Sequence, residues 1–144
     1  MKRFLSIVLV IVMFCCMMPA AFAASDEATA AADELYALGL FNGTGTDANG
    51  NPNFDLDRAP TRYEAVTMLV RLLGKDGEAK AGTWKTPFTD VVDWAKPYVG
   101  FAYANGLTAG TSATTFGGGA AVSASQYLTF VLRALGYDNS VDFK

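Results

Sequence analysis

The residues in this sequence best placed to do chemistry are Thr61-Arg62-Tyr63-Glu64. Thr61 can accept from the backbone N–H of Glu64, and the Glu64 side chain can reach back to the N–H of Thr61. That reciprocal pair is a capping box, and it opens a helix. Arg62 then falls in the first helical turn, at the positive end of the macrodipole, where a cation is electrostatically unfavourable. A guanidinium beside free N–H groups makes a receptor for a carboxylate or phosphate. The competing reading leaves Arg62 solvated, or paired to a nearby acid such as Asp57. Residue type and position alone do not choose between the two.

Other candidate chemistries fall away. The sequence has no histidine, which removes the commonest general base and zinc ligand. No pair of carboxylates sits in a recognisable glycosidase arrangement. The loop Asp47 to Asp55 alternates oxygen-bearing residues as calcium loops do, but Pro52 stands where the turn glycine belongs and Arg58 where the closing glutamate belongs. An Asx- and Gly-rich surface turn is the better description. Gly117-Gly118-Gly119 follows a loop phenylalanine and not a strand, so it is no phosphate-binding loop. No catalytic set, metal site or cofactor motif is expected.

The first residues bear on location. Lys2 and Arg3 precede an apolar run from Phe4 to Met18, and Ala21-Phe22-Ala23 fits a small-x-small cleavage site. Residues 1–23 therefore read as a secretory signal peptide, too short in its apolar run to span a membrane. Cys15 and Cys16 leave with it, so the mature chain has no thiol ligand, nucleophile or disulfide. Removing Lys2 and Arg3 leaves 9 basic against 14 acidic residues, a net charge of −5. Such a balance argues against nucleic acid and against anionic membranes as partners. An anionic partner would have to be recognised locally.

The elements that must position Arg62 come from an internal repeat. From Asn53 to Gly74, each position pairs with one 62 residues later, from Thr115 to Gly136. Phe54 meets Phe116, Thr61 meets Ser123, Glu64 meets Gln126, Arg71 meets Arg133, and Gly74 meets Gly136. Upstream, Tyr36 to Leu40 pairs with Tyr103 to Leu107 after five extra residues in the first copy. Each copy reads as helix, loop, helix. Val66, Leu69, Val70 and Leu73 make one helical stripe, and Leu128, Val131, Leu132 and Leu135 make its counterpart, so both are expected in the core. Trp94, Tyr98, Phe101 and Ala102 form a third stripe, stopped at Gly106. Arg71 and Arg133 complement the dipole in the last turns. At the cap the copies differ: Ser123 and Gln126 preserve the capping box, but Ala124 replaces Arg62. Residues 75–86, rich in Lys, Gly and Ala, read as a linker.

Together these features resemble the S-layer homology (SLH) family. The resemblance rests on Phe88-Thr89-Asp90, Trp94-Ala95, Ala104-Asn105-Gly106-Leu107, Gly110, Phe116 and the helix ending Leu132-Arg133-Ala134-Leu135-Gly136. In the first copy it rests on Pro60-Thr61-Arg62-Tyr63-Glu64 and Leu69 to Gly74. It covers about Ala28 to Gly136. It implies an all-α module of helix–loop–helix repeats, two copies of a pseudo-threefold arrangement, at 28–74 and 87–136, with 137–144 opening a truncated third. It implies a secreted, wall-associated and non-catalytic module that binds secondary cell-wall polysaccharide linked to peptidoglycan, often bearing acidic pyruvyl-ketal sugars, in grooves between repeats. The family's groove arginine carries over to Arg62 only, with Thr61 and Glu64 positioning it. Asp90 and Trp94 match the first-helix pattern and flank a groove; Trp94 either stacks on a sugar or sits in the core, with the core expected. Self-association would complete the three-repeat unit. Other readings are the targeting part of a surface enzyme such as a wall hydrolase, or an assembly module of a surface layer.

Overall fold

The computed structural model describes residues 25–137. The signal peptide expected at 1–23 and all of the expected third-repeat segment beyond Tyr137 lie outside them. The described chain is mostly helical. In order it runs α1 (Asp26–Ala37), a two-residue hairpin of β1 (Gly45–Thr46) and β2 (Pro52–Asn53), α2 (Arg62–Leu72), α3 (Asp76–Ala81), a 3₁₀ turn (Asp93–Ala95), α4 (Lys96–Ala104) and α5 (Ala124–Ala134). The strands pair antiparallel, Gly45 with Asn53 and Thr46 with Pro52. Among the described residues, no helix is long and apolar enough to cross a membrane.

The helix starts follow the local sequence. Ser25 caps α1 by accepting from Ala28 N, and Asp26 and Glu27 complement the dipole. Both expected capping boxes form, Thr61 with Glu64 on α2 and Ser123 with Gln126 on α5. Pro97 sits in the first turn of α4, where its missing N–H costs nothing. Gly74, Gly106 and Gly136 take φ near +69°, +70° and +88°, conformations that end helices and suit glycine.

The core lies where α2, α4 and α5 meet. Val66, Leu69 and Val70 of α2 pack with Tyr98, Val99, Phe101 and Ala102 of α4, and Phe116 and Phe130 close the end. Each fully buried phenylalanine contributes on the order of 1.5–3 kcal/mol by leaving water. Residues 75–86 are more than a linker, because they carry α3. Ala79 is buried, and Trp84 donates from Nε1 to Ala79 O (2.8 Å) while its ring meets Phe101 edge-on at 5.2 Å. A side chain at Gly100 would overlap Trp84, so α4 offers a bare patch that the indole covers.

Four expected core positions are exposed, the first being Leu73 at the C-cap of α2, 40% exposed where the helix end leaves the packed face. On α5, Leu128 and, at the C-cap, Leu135 are 56% and 69% exposed, and the residue fully buried is Phe130. The helix docks through its Phe130 side, so part of its apolar stripe faces outward. Trp94 is 54% exposed, unlike Tyr98, Phe101 and Ala102 of its stripe. It sits in the 3₁₀ turn before α4, so its direction departs from the α-helical spacing that grouped it with them.

Candidate functional site

The start of α2 is clasped by the loop before α5. Arg62 N donates to Ala120 O (2.9 Å), Tyr63 N to Gly118 O (3.0 Å), and Val122 N to Pro60 O (2.9 Å). The Tyr63 ring lies over Gly118, where any Cβ would overlap it. This corrects the expectation of free amides at the helix start. Arg62 N and Tyr63 N go to carbonyls and Glu64 N to Thr61 Oγ1 (3.3 Å), so these amides are not waiting for an anion. Gly118 and Ala120 thus serve the start of α2 as acceptors.

What remains is the Arg62 side chain, which is 7% exposed. It is the only charged side chain buried among the described residues. Its guanidinium carbon stands 4.9 Å from the Phe116 ring centre and 4.8 Å from that of Phe130. Nη2 donates to Ala109 O at 2.6 Å, and Nε, fully buried, has no acceptor. No ion pair to Arg62 occurs among the described residues, so the suggested pairing with Asp57 is not its arrangement. Burial lowers its pKa from the ordinary arginine value, and the charge of Arg133 lowers it further. Cation–π contact offsets part of the desolvation, at about 0.5–2 kcal/mol for each ring.

Glu64 turns away from Arg62. Its carboxylate accepts from Thr61 N (2.6 Å) and forms a two-pronged pair with Arg58 at 2.9 and 2.7 Å. Arg58 also pairs with Asp55. The Arg58 hydrogen bonds are the largest cause that holds Glu64 down to about 2, and those same partners raise the pKa of Arg58. Sequence reasoning meets Arg58 only as a misfit in a calcium loop. Nothing local marks it, because its partner lies six residues away across a proline. The Asp47 loop behaves as an Asx turn, its carboxylate accepting from Asn49 N and Asn51 N, both at 2.8 Å.

Asp90 is a clasp. Its carboxylate accepts from Phe116 N (2.7 Å) and Gly117 N (2.8 Å), and its carbonyl accepts from the Tyr63 hydroxyl. Those bonds, that to Phe116 N foremost, hold its pKa below the ordinary carboxylate value. Asp90 thereby fixes Phe116, one of the two rings against Arg62. Trp94 meets Tyr63 edge-on at 5.8 Å, and Tyr63 stacks on Phe116 at 5.6 Å. A continuous aromatic path therefore joins the exposed indole to the buried guanidinium. Trp94 also borders a cavity of about 790 Å³ between α1 and α2, walled by Ala28, Ala32, Leu35 and Met68, with the Arg58–Glu64 pair at its rim. The Thr67 hydroxyl in that wall is buried without a partner. Thus Arg62, Thr61, Asp90 and Trp94 lie in one connected region, while Glu64 serves the cap and Arg58.

Comparison with known proteins bears on the family of the chain. The S-layer homology domain family matches residues 87–126. A surface layer protein of Brevibacillus choshinensis is 35% identical over 98% of this chain and 13% of its own length. A cell surface protein of Thermoanaerobacter kivui is 32% identical over 95% of this chain and 19% of its own. A middle cell wall protein of Brevibacillus brevis is 31% identical over 98% of this chain and 14% of its own. The chain thus spans less than a fifth of the length of these relatives. No solved structure matches it. Their names belong to the bacterial surface and none is that of an enzyme. Residues 87–126 thus carry an S-layer homology domain, in a chain similar along nearly its whole length to proteins of the bacterial cell surface.

Proposed function

We propose that this chain anchors an exported protein to the bacterial wall without a covalent bond, by binding acidic secondary cell-wall polysaccharide. The observation that carries the reading is the state of Arg62. It is a buried guanidinium, between two aromatic rings, with a free Nε and no carboxylate partner among the described residues. A buried, unpaired charge costs several kcal/mol unless something neutralises it. A sugar-borne carboxylate such as a pyruvyl ketal would do so, through a charge-assisted hydrogen bond. Trp94 adds an exposed aromatic face on which a pyranose ring can lie. The second capping box, with Ala124 in place of Arg62, folds a helix but offers no such cation.

An assembly role has one observation in its favour, the outward apolar residues Leu128 of α5 and Leu135 at its C-cap. They would suit a protein neighbour, including a further copy that completes a three-repeat unit.

Sedimentation with purified sacculi tests the anchor. The wild-type chain pellets with intact sacculi and stays in solution with sacculi stripped of acidic polysaccharide. Arg62→Met fills the same slot without charge, and weakens binding by about 1–3 kcal/mol, or roughly 5- to 150-fold. Pelleting that ignores both the stripping and the substitution would sink the proposal and favour assembly.

A further inference from the structure

We propose that Asn42 is a self-modifying site, where the backbone nitrogen of Gly43 attacks the Asn42 side-chain amide and converts the chain, with time, to aspartate and isoaspartate forms at the joint between α1 and the hairpin. The inference is independent of the anchoring function.

The chain has three Asn-Gly pairs, at Asn42, Asn49 and Asn105. All three asparagines are exposed. Glycine after asparagine favours the attack, because no side chain shields its nitrogen and its backbone turns freely. That nitrogen must give up its proton, and the asparagine backbone must rotate to bring it to the side-chain carbon. A glycine N–H already held in a hydrogen bond resists both.

The fold holds two of the three pairs. Gly50 N donates to Asp47 O at 3.1 Å, and the Asp47 carboxylate takes the N–H groups of Asn49 and Asn51 on either side. Gly106 N donates to Tyr103 O at 3.1 Å, and the Asn105 side chain donates from Nδ2 to Phe101 O at 2.9 Å. Asn42 lies in irregular chain between α1 and β1. Among the described residues, neither its side chain nor the Gly43 N–H is hydrogen-bonded.

The conversion balances with water alone. Gly43 N bonds to Asn42 Cγ, the Cγ–Nδ2 bond breaks, and ammonia leaves with the proton that Gly43 N gave up. Water then opens the cyclic imide. Breaking the new N–Cγ bond yields aspartate; breaking the old N–C bond yields isoaspartate, whose main chain runs through Cβ and is one carbon longer. The extra carbon falls where there is no slack. Gly43 sits so close to Asn53 that any Cβ would overlap Asn53 O, and Thr44 N donates to that same oxygen at 2.8 Å. On the other side Phe41 stacks on Phe54 at 5.3 Å, and Tyr36 of α1 meets that ring edge-on at 6.0 Å. Isoaspartate therefore loosens the seat of α1, whereas aspartate only adds a charge beside the cavity that Asn42 helps to line.

The test incubates the chain in mildly alkaline buffer, folded and in urea. Each Asn-Gly pair is followed by peptide mapping, with isoaspartyl methyltransferase marking isoaspartate. In urea the three pairs should convert at similar rates. In the folded chain Asn42 should outpace Asn49 and Asn105 by about tenfold, the effect of one hydrogen bond that must break first. Hydroxylamine, which cleaves the imide, should cut the folded chain after Asn42. Hydrogen exchange in α1 should be faster in the isoaspartate fraction than in Asn42→Asp, which carries the charge without the longer main chain. Asn42→Gln, whose side chain would have to close a larger ring, should age without any change in α1. If Asn42 converts no faster than the other two in the folded chain, or converts only in urea, the proposal is wrong. Equal exchange of α1 in the isoaspartate fraction and in Asn42→Asp would overturn the effect on α1.

Discussion

Glu64→Gln separates the two tasks that Glu64 performs. Gln126 shows that an amide at the equivalent place closes a capping box, accepting from Ser123 N at 3.1 Å, so glutamine at 64 keeps the cap. What it loses is the charge facing Arg58. The drop of the Glu64 pKa from 4.5 to about 2, mainly through Arg58, corresponds to roughly 3 kcal/mol of preference for the ionised form. Both side chains are partly exposed, so solvent screening reduces this to about 1–2 kcal/mol. A carboxyl with a depressed folded pKa stabilises the fold above its unfolded value and loses that contribution as pH falls toward the folded one. Urea melts should therefore place Glu64→Gln about 1–2 kcal/mol below the wild type at pH 7, or about 4–8 °C in thermal melts. The difference should hold down to about pH 5 and close between about pH 4.5 and 2. At 1 M NaCl it should narrow. A gap that stays constant from pH 7 to 2 would refute the assignment to the ion pair and place the effect in the cap.

Gly118→Ala should cost about 1–3 kcal/mol in chemical denaturation, because its Cβ overlaps the Tyr63 ring and overpacking is relieved only by moving that ring from Phe116. A fully stable variant would show that the clasp on α2 is slack. Thr67→Val removes a buried hydroxyl that has no partner and keeps its shape, so its stability should equal the wild type's or exceed it by up to about 1 kcal/mol. A loss beyond about 1 kcal/mol would mean that the hydroxyl is hydrogen-bonded to something held in the cavity.

What could be read ahead of the structure was local. Thr61 with Glu64, Ser123 with Gln126, and the glycine after each helix all act within four residues, and all appear where the spacing puts them. What could not be read acts across the chain. Ala120 and Gly118 satisfy amides more than fifty positions earlier, and Asp90 binds amides of the Phe116 turn. No periodicity reports such pairings. The stripe on α5 was visible, but which edge of a helix docks depends on the partner: Phe130 won the interior because Arg62 and the α2 face accept an aromatic ring there. Trp94 was grouped with α4 by a spacing that the 3₁₀ turn does not keep. Trp84 and α3 were hidden in a stretch whose Lys, Gly and Ala content suggests no packing at all.

The two caps also isolate what Arg62 is for. They share their hydrogen bonds, and α5 starts on Ala124 without difficulty, so neither capping nor helix initiation requires arginine after the cap. At α2 the neighbouring amides are already bonded to carbonyls of the glycine loop, so the side chain is not needed to satisfy the backbone either. Its one hydrogen bond, to Ala109 O, leaves Nε stranded in the interior. An apolar residue of similar length between Phe116 and Phe130 would fold at least as readily, since exchanging buried charge for packing is often neutral or stabilising. On the anchoring function proposed above, a cation that neither the cap nor the backbone needs, held where it is expensive, serves a ligand of opposite charge. Arg62→Met therefore ought to melt no lower than the wild type while losing the wall. If it loses stability and binding together, the guanidinium is structural and the argument for a site at α2 fails.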